Sequence, residues 1–200
     1  MLEAEKRIEV SSIMIVVFIG PPYAGKDTQG KLLSQRFGNM PIFSMGALIR
    51  EARENGNATF IKAYEAYSLK GLHVPTDMKF PLLKKKMDQA KEGFILDNFP
   101  ATADDLEALN RYLSNTSKEI DRVIYLYISE QEMIRRLKDA FRGRKDDDSE
   151  IVAKRKKIQD QDRIPVLEYY KTQNLLSQIN GEGDVDKIHK EILGELKKKI

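Results

Sequence analysis

Seven consecutive apolar residues, Ile13 to Ile19, open the patterned part of the chain, and β-branched residues dominate them. That is the composition of a strand buried on both faces. Shorter apolar runs return at Pro41-Ile42-Phe43, Phe94-Ile95-Leu96, Val123 to Ile128 and Leu175 to Ile179. Polar and apolar positions between them recur with helical spacing. Strand and helix in alternation predict an α/β fold, a five-stranded parallel sheet with helices on both faces. In such a sheet ligands bind at the carboxyl ends of the strands.

Two stretches fit no strand. Residues 44–74, beginning at Ser44 and including ALIREARENGNATFIKAYEAYSLKGLHVP, read as a polar helical insertion, a candidate flap over the site. Residues 138–150, KDAFRGRKDDDSE, are charged and poor in apolar side chains, the composition of an exposed segment. Ser129-x-x-Glu132 and Thr102-x-x-Asp105 mark helix starts, and Asp184 is placed to cap the last helix. His189 falls within that amphipathic helix, where a surface or boundary role accounts for it.

Composition narrows the class. Two hundred residues, 41% hydrophobic and 32% charged, suit one soluble domain with a sizeable core. A net charge of +3 with no concentrated basic face argues against a nucleic-acid binder. The run at Ile13 is too short to span a bilayer. Residues 1–12 mix acids and bases, unlike a signal or transit peptide, so they read as an extension before a domain covering 13–200. Cytoplasmic residence is the resulting expectation. Without cysteine there is no disulfide and no thiolate zinc site.

The chemistry concentrates after the first strand. Gly20, four residues, Gly25 and Lys26 have the spacing of a phosphate-binding loop between a strand and a helix. Backbone N–H groups turn inward around phosphate oxygens at the positive end of the helix, and a lysine reaches the outer phosphates. The fold class is therefore that of the phosphate-loop nucleotide-binding proteins.

From Ile13 onward the chain resembles the adenylate kinase family of nucleoside monophosphate kinases. The residues that carry the resemblance are GPPYAGKDTQ from Gly20, Phe43-Ser44-Met45-Gly46-Ala47-Leu48-Ile49-Arg50, the Gly71-Leu72-His73-Val74-Pro75 turn, Leu96-Asp97-Asn98-Phe99-Pro100-Ala101-Thr102, and Gly143-Arg144-Lys145-Asp146-Asp147-Asp148. Lys154-Arg155 and Asn180-Gly181-Glu182-Gly183 extend the order. The resemblance implies that 44–74 binds the acceptor monophosphate and that 138–150 is a short lid, with the cysteine-free sequence excluding the zinc-bearing long form.

It also implies roles. Lys26 holds the β- and γ-phosphates of ATP, supported by Thr28 and by the loop of Gly20, Tyr23, Ala24 and Gly25. Arg144 and Arg155 close over the transferred phosphoryl group. Asp97 orients Mg2+ through its water shell. Arg50 holds the acceptor phosphate, Gly183 lies against the donor base, and Ser44, Met45, Leu72, His73, Val74 and Asn98 line the acceptor site.

Four positions depart from the family pattern. Tyr23 replaces a glycine inside the phosphate loop, either reshaping the backbone, covering the nucleotide or pointing to solvent. Asp27 replaces a glycine after the lysine, where it is either a direct magnesium ligand or an acid favoured by the helix dipole. Ala101 stands where the family has an arginine on the acceptor phosphate, with Arg53 a candidate substitute one turn after Arg50. Close to Ala101, Asp105 stands where the family has a base-reading glutamine; it either reads the base or caps the helix with Thr102.

The expected activity is phosphoryl transfer from ATP to a nucleoside monophosphate, AMP first, by a monomer whose partners are nucleoside mono- and triphosphates. A nucleotide-binding regulatory module with a weak acceptor site is the alternative from another class, favoured by Ala101 and opposed by Lys26, Asp97, Arg144 and Arg155. A kinase of another monophosphate is the alternative within the same class.

Overall fold

The computed structural model describes residues 14–139 and 149–197. Five strands form one parallel sheet in the order β2-β3-β1-β4-β5, with β1 Met14–Ile19 at the centre, β2 Ile42–Ser44, β3 Gly93–Asp97, β4 Arg122–Tyr127 and β5 Leu176–Asn180. All six residues of β1 are buried, as the unbroken apolar run requires of a strand covered on both faces.

The period of two along β1 divides the core. Ile15, Val17 and Ile19 pack into one apolar cluster with Leu83, Leu96, Leu109 and Tyr170. Met14, Val16 and Phe18 pack into the other with Leu33, Met133, Ile188 and Ile192. The helices behind these residues are α4 Thr76–Gln89, α5 Ala103–Thr116 and α7 Ser149–Thr172 on the first face, and α1 Lys26–Arg36, α6 Glu130–Asp139 and α8 Val185–Lys197 on the second. Between β2 and α4 come α2 Met45–Glu54, α3 Ala58–Ala66 and a 3₁₀ turn, Ser68–Lys70. Met45, Leu48, Ile49, Phe60 and Ala63 join them to the first core.

Strand ends shift by a residue from the apolar runs. β2 and β3 extend to Ser44 and Asp97, which face each other in register; backbone pairing continues where apolar side chains stop. The three expected caps form: Ser129 Oγ accepts from Glu132 N at 3.2 Å, Thr102 Oγ1 from Asp105 N at 3.2 Å, and Asp184 Oδ1 from Lys187 N at 2.9 Å. Among the described residues no helix is long and apolar enough to cross a membrane.

Candidate active site at the phosphate loop

The register of the sheet brings three strand ends to one edge. Phe18 pairs with Asp97 and Phe43 with Leu96, so Ser44, Asp97 and the start of the phosphate loop stand side by side. Asn98 N donates to Phe18 O at 2.8 Å and locks the turn after β3 against β1.

The loop itself is shaped by close backbone packing. A Cβ at Gly20 would lie 2.2 Å from the Leu126 carbonyl oxygen, and one at Gly181 would lie 2.7 Å from that of Ala24. Only glycine fits where the loops after β1 and β5 cross. Gly25 takes φ +93 and opens α1. The Lys26 ammonium is drawn over the loop, 2.9 Å from Gly20 O and 2.8 Å from Pro21 O. Tyr23 adopts φ 63, a left-handed conformation that side chains seldom accept. Its ring is half-buried against the core that contains Val16 and Phe18, rather than pointing into solvent.

A cleft of about 440 Å³ opens in front of this loop. It gathers Lys26, Asp27 and Asp97 with Ser44, Met45, Arg50, Leu72, His73, Val74 and Asn98. Ten residues singled out from separate sequence motifs thus share one cavity. Gly46 gives Arg50 its room, since a Cβ there would lie 3.2 Å from Arg50 Nη1. The expected loop residues Gly20, Tyr23, Ala24, Gly25 and Thr28 are not among the residues that line the cleft, nor is Gly183, exposed at φ +101 after β5. Arg144 lies outside the described residues, with the rest of 140–148; Arg155 falls within α7, and its side chain is also outside them.

Two carboxylates, Asp97 and Asp27, line the cleft. Asp97 Oδ1 is buried with no hydrogen-bond donor among the described residues, a state that costs free energy unless a ligand meets it. Asp27 is exposed and pairs with Lys31 at 2.9 Å, so it is an acid of the first helical turn that also reaches the cleft. No group of three or more acidic or histidine side chains gathers there among the described residues. The donor set therefore suits Mg2+, which keeps several waters and takes one or two protein carboxylates beside substrate phosphates.

Two further candidates, Asp105 and Arg53, do not themselves line the cleft. Asp105 is fully buried behind the cleft wall, its Oδ1 taken by Thr76 Oγ1 at 2.6 Å and its Oδ2 by Lys79 Nζ at 2.8 Å and Ala101 N at 3.1 Å. The cap reading holds, since Thr102 Oγ1 accepts from Asp105 N and the carboxylate accepts from the Ala101 N–H just before the helix, and both carboxylate oxygens are engaged inside the protein rather than facing a base. Arg53 lies over the Tyr64 ring at 4.1 Å and beside Glu54; Tyr64 lines the cleft and Arg53 itself does not. The cation–π contact holds the guanidinium over that ring.

His73 lines the cleft with Nε2 3.5 Å from Asp162 Oδ2. Burial, aided by the nearby Lys79 charge, holds its pKa below the usual imidazole value. The ring is accordingly neutral at pH 7.

Two further residues emerge only in three dimensions. Lys79 is buried in the cleft wall, and the periodicity of α4 gave no sign that a lysine would face inward. Arg136 bonds Tyr23 O and Gly181 O; its spacing from Glu132 was the available signal.

A family model described as adenylate kinase matches residues 18–175. The chain is 36% identical to the adenylate kinase of Mycolicibacterium smegmatis across 92% of its length and 99% of that protein's. It is 34% identical to that of Methanocella arvoryzae and 32% to that of Archaeoglobus fulgidus, over 92% of this chain and 99% of each relative. With a matching family model over most of the sheet and relatives matched end to end, the chain belongs to the adenylate kinase family.

Proposed function

We propose that this protein is a phosphotransferase that moves the terminal phosphoryl group of ATP to AMP, giving two ADP. The observation that carries this reading is that Lys26, Asp97 and Arg50 line one cleft; we assign them to the donor phosphates, the metal and the acceptor phosphate in turn. Phosphoryl transfer asks little covalent chemistry of a protein; it asks for alignment, exclusion of water and positive charge around the transferred group.

Each group has a part. The loop amides and Lys26 bind the donor phosphates at the start of α1. Arg50 orients the acceptor phosphate for in-line attack, and its guanidinium can grip two oxygens at once. Mg2+, held through Asp97 with Asp27 beside it, would supply charge neutralisation on the donor phosphates. Arg144 and Arg155 are assigned to the phosphoryl group in flight, and 138–150 to the lid that carries the first of them. Segment 44–74 is assigned to the acceptor, and Gly183 to the donor base.

The protein is proposed to act as a cytoplasmic monomer on free nucleotides. A coupled assay with ATP, magnesium and each nucleoside monophosphate in turn tests the reading. Turnover with AMP above the other monophosphates is expected; ATP binding without turnover of any monophosphate would overturn it and favour the regulatory module.

A further inference from the structure

Lys79 and Asp105 form an ion pair at 2.8 Å whose side chains are only 3% and 0% exposed. Such a pair is weak evidence for stability, because the desolvation of two charges offsets most of their attraction. Its members differ in what they can still do. Both oxygens of Asp105 are occupied, by Thr76, Lys79 and the Ala101 N–H. Lys79 has three N–H groups, and among the described residues it donates only to Asp105. It alone of the two lines the cleft.

We infer that Lys79, held in place by Asp105, is the residue that reads the base of the acceptor nucleotide, donating a hydrogen bond to N1 of adenine. The inference rests on the proposed transfer to AMP and assigns a specificity-determining residue within it. Three features separate a base contact from a phosphate contact. The charge of Lys79 is already balanced by the carboxylate beside it, which suits a neutral acceptor atom better than a phosphate. Arg50 and Lys26 line the same cleft and supply cations for the phosphates. The cleft that Lys79 lines also includes Met45, Ile49 and Val74, apolar surface that a flat ring can cover.

The ring nitrogen follows from the nucleotide's own geometry. With its phosphate at Arg50, the base leads into the cleft with the edge farthest from its sugar. In adenine that edge carries N1, an acceptor, and the 6-amino group, a donor. An ammonium can serve only the first. Asp105 is thereby a positioning residue, since it fixes where Nζ points without touching the ligand.

The test compares AMP with 1-deaza-AMP, in which a C–H replaces N1, and with 7-deaza-AMP. With the wild-type protein kcat/KM should fall about 10- to 100-fold for 1-deaza-AMP, as for loss of a charge-assisted hydrogen bond, and under about threefold for 7-deaza-AMP. The double variant Lys79→Met, Asp105→Asn removes the donor without leaving a buried charge unpaired. It should raise KM for AMP with kcat little changed, and it should turn over AMP and 1-deaza-AMP alike. Wild-type protein that accepts 1-deaza-AMP as well as AMP, or that loses more with 7-deaza-AMP, overturns the inference without recourse to a variant. So does a folded double variant that keeps the wild-type ratio. Failure to phosphorylate AMP at all would instead strike the proposed reaction.

Discussion

Arg136 Nη1 lies 3.1 Å from the carbonyl oxygen of Tyr23, so a side chain of α6 holds the phosphate loop from outside. Nη2 of the same guanidinium bonds Gly181 O at 2.7 Å, and Nε bonds Glu132 Oε1 at 2.6 Å. One residue therefore ties the loop after β1 to the loop after β5. Replacing it by methionine should cost about 2 kcal/mol, the scale of hydrogen bonds to a charged group. Calorimetry should find Tm lower by about 4–8 °C for a chain of this size. An unchanged Tm would mean the contact contributes nothing.

Glu132 depends on its arginines for its acidity. Hydrogen bonds from Arg135 first and Arg136 second hold its pKa down at about 2, from an ordinary 4.5. Because the folded pKa is the lower one, the stabilisation is complete above pH 4.5 and drains away as pH falls toward 2. Glu132→Gln should therefore melt below wild type at neutral pH, with the gap closing through that acid window. A gap that stays constant across it would remove Glu132 from the account.

At Gly20 the constraint is packing as well as phosphate binding. A methyl group there would press on the Leu126 carbonyl at 2.2 Å, and backbone on both sides cannot move aside cheaply. Gly20→Ala should destabilise by about 1–3 kcal/mol even without nucleotide. Thermal unfolding of the nucleotide-free variant measures it, and a wild-type melt would contradict the close approach.

Asp27 reaches the cleft yet pairs with Lys31. If it bears on the metal, Asp27→Gly should weaken the magnesium dependence of ATP affinity, while metal-free ATP binds as well or better for want of a repelling charge. Calorimetric titration with and without magnesium separates the two effects. An identical magnesium response would leave Asp27 as a helix-start acid alone.

The legible parts of this molecule were those written as local pattern. The run before Gly20 fixed the central strand, and Gly20, Gly25 and Lys26 fixed the loop, because each depends on neighbours in sequence. Asp97 and Arg50 were also legible, through motifs at strand ends, and they do share the cleft. Asp105 was harder. Its spacing from Thr102 announced a cap, and the backbone N–H obeys; its carboxylate is captured by Lys79, 26 residues earlier. No local pattern announces a partner on another helix. The same reason hid Arg136, whose two carbonyl partners lie 113 and 45 residues away.

We propose that the Lys26 loop transfers phosphoryl groups between adenine nucleotides. Phosphorus NMR of the purified protein supplied with ADP and magnesium alone tests it most directly, because the reverse reaction needs both nucleotide sites at once. The wild-type protein should form ATP and AMP in equal amounts. Lys26→Met, folded by circular dichroism, should do so slower by about two decades or more, as for loss of a charge-stabilising group. No ATP from the wild-type protein, or a folded variant that keeps about a tenth of the rate, would contradict the account.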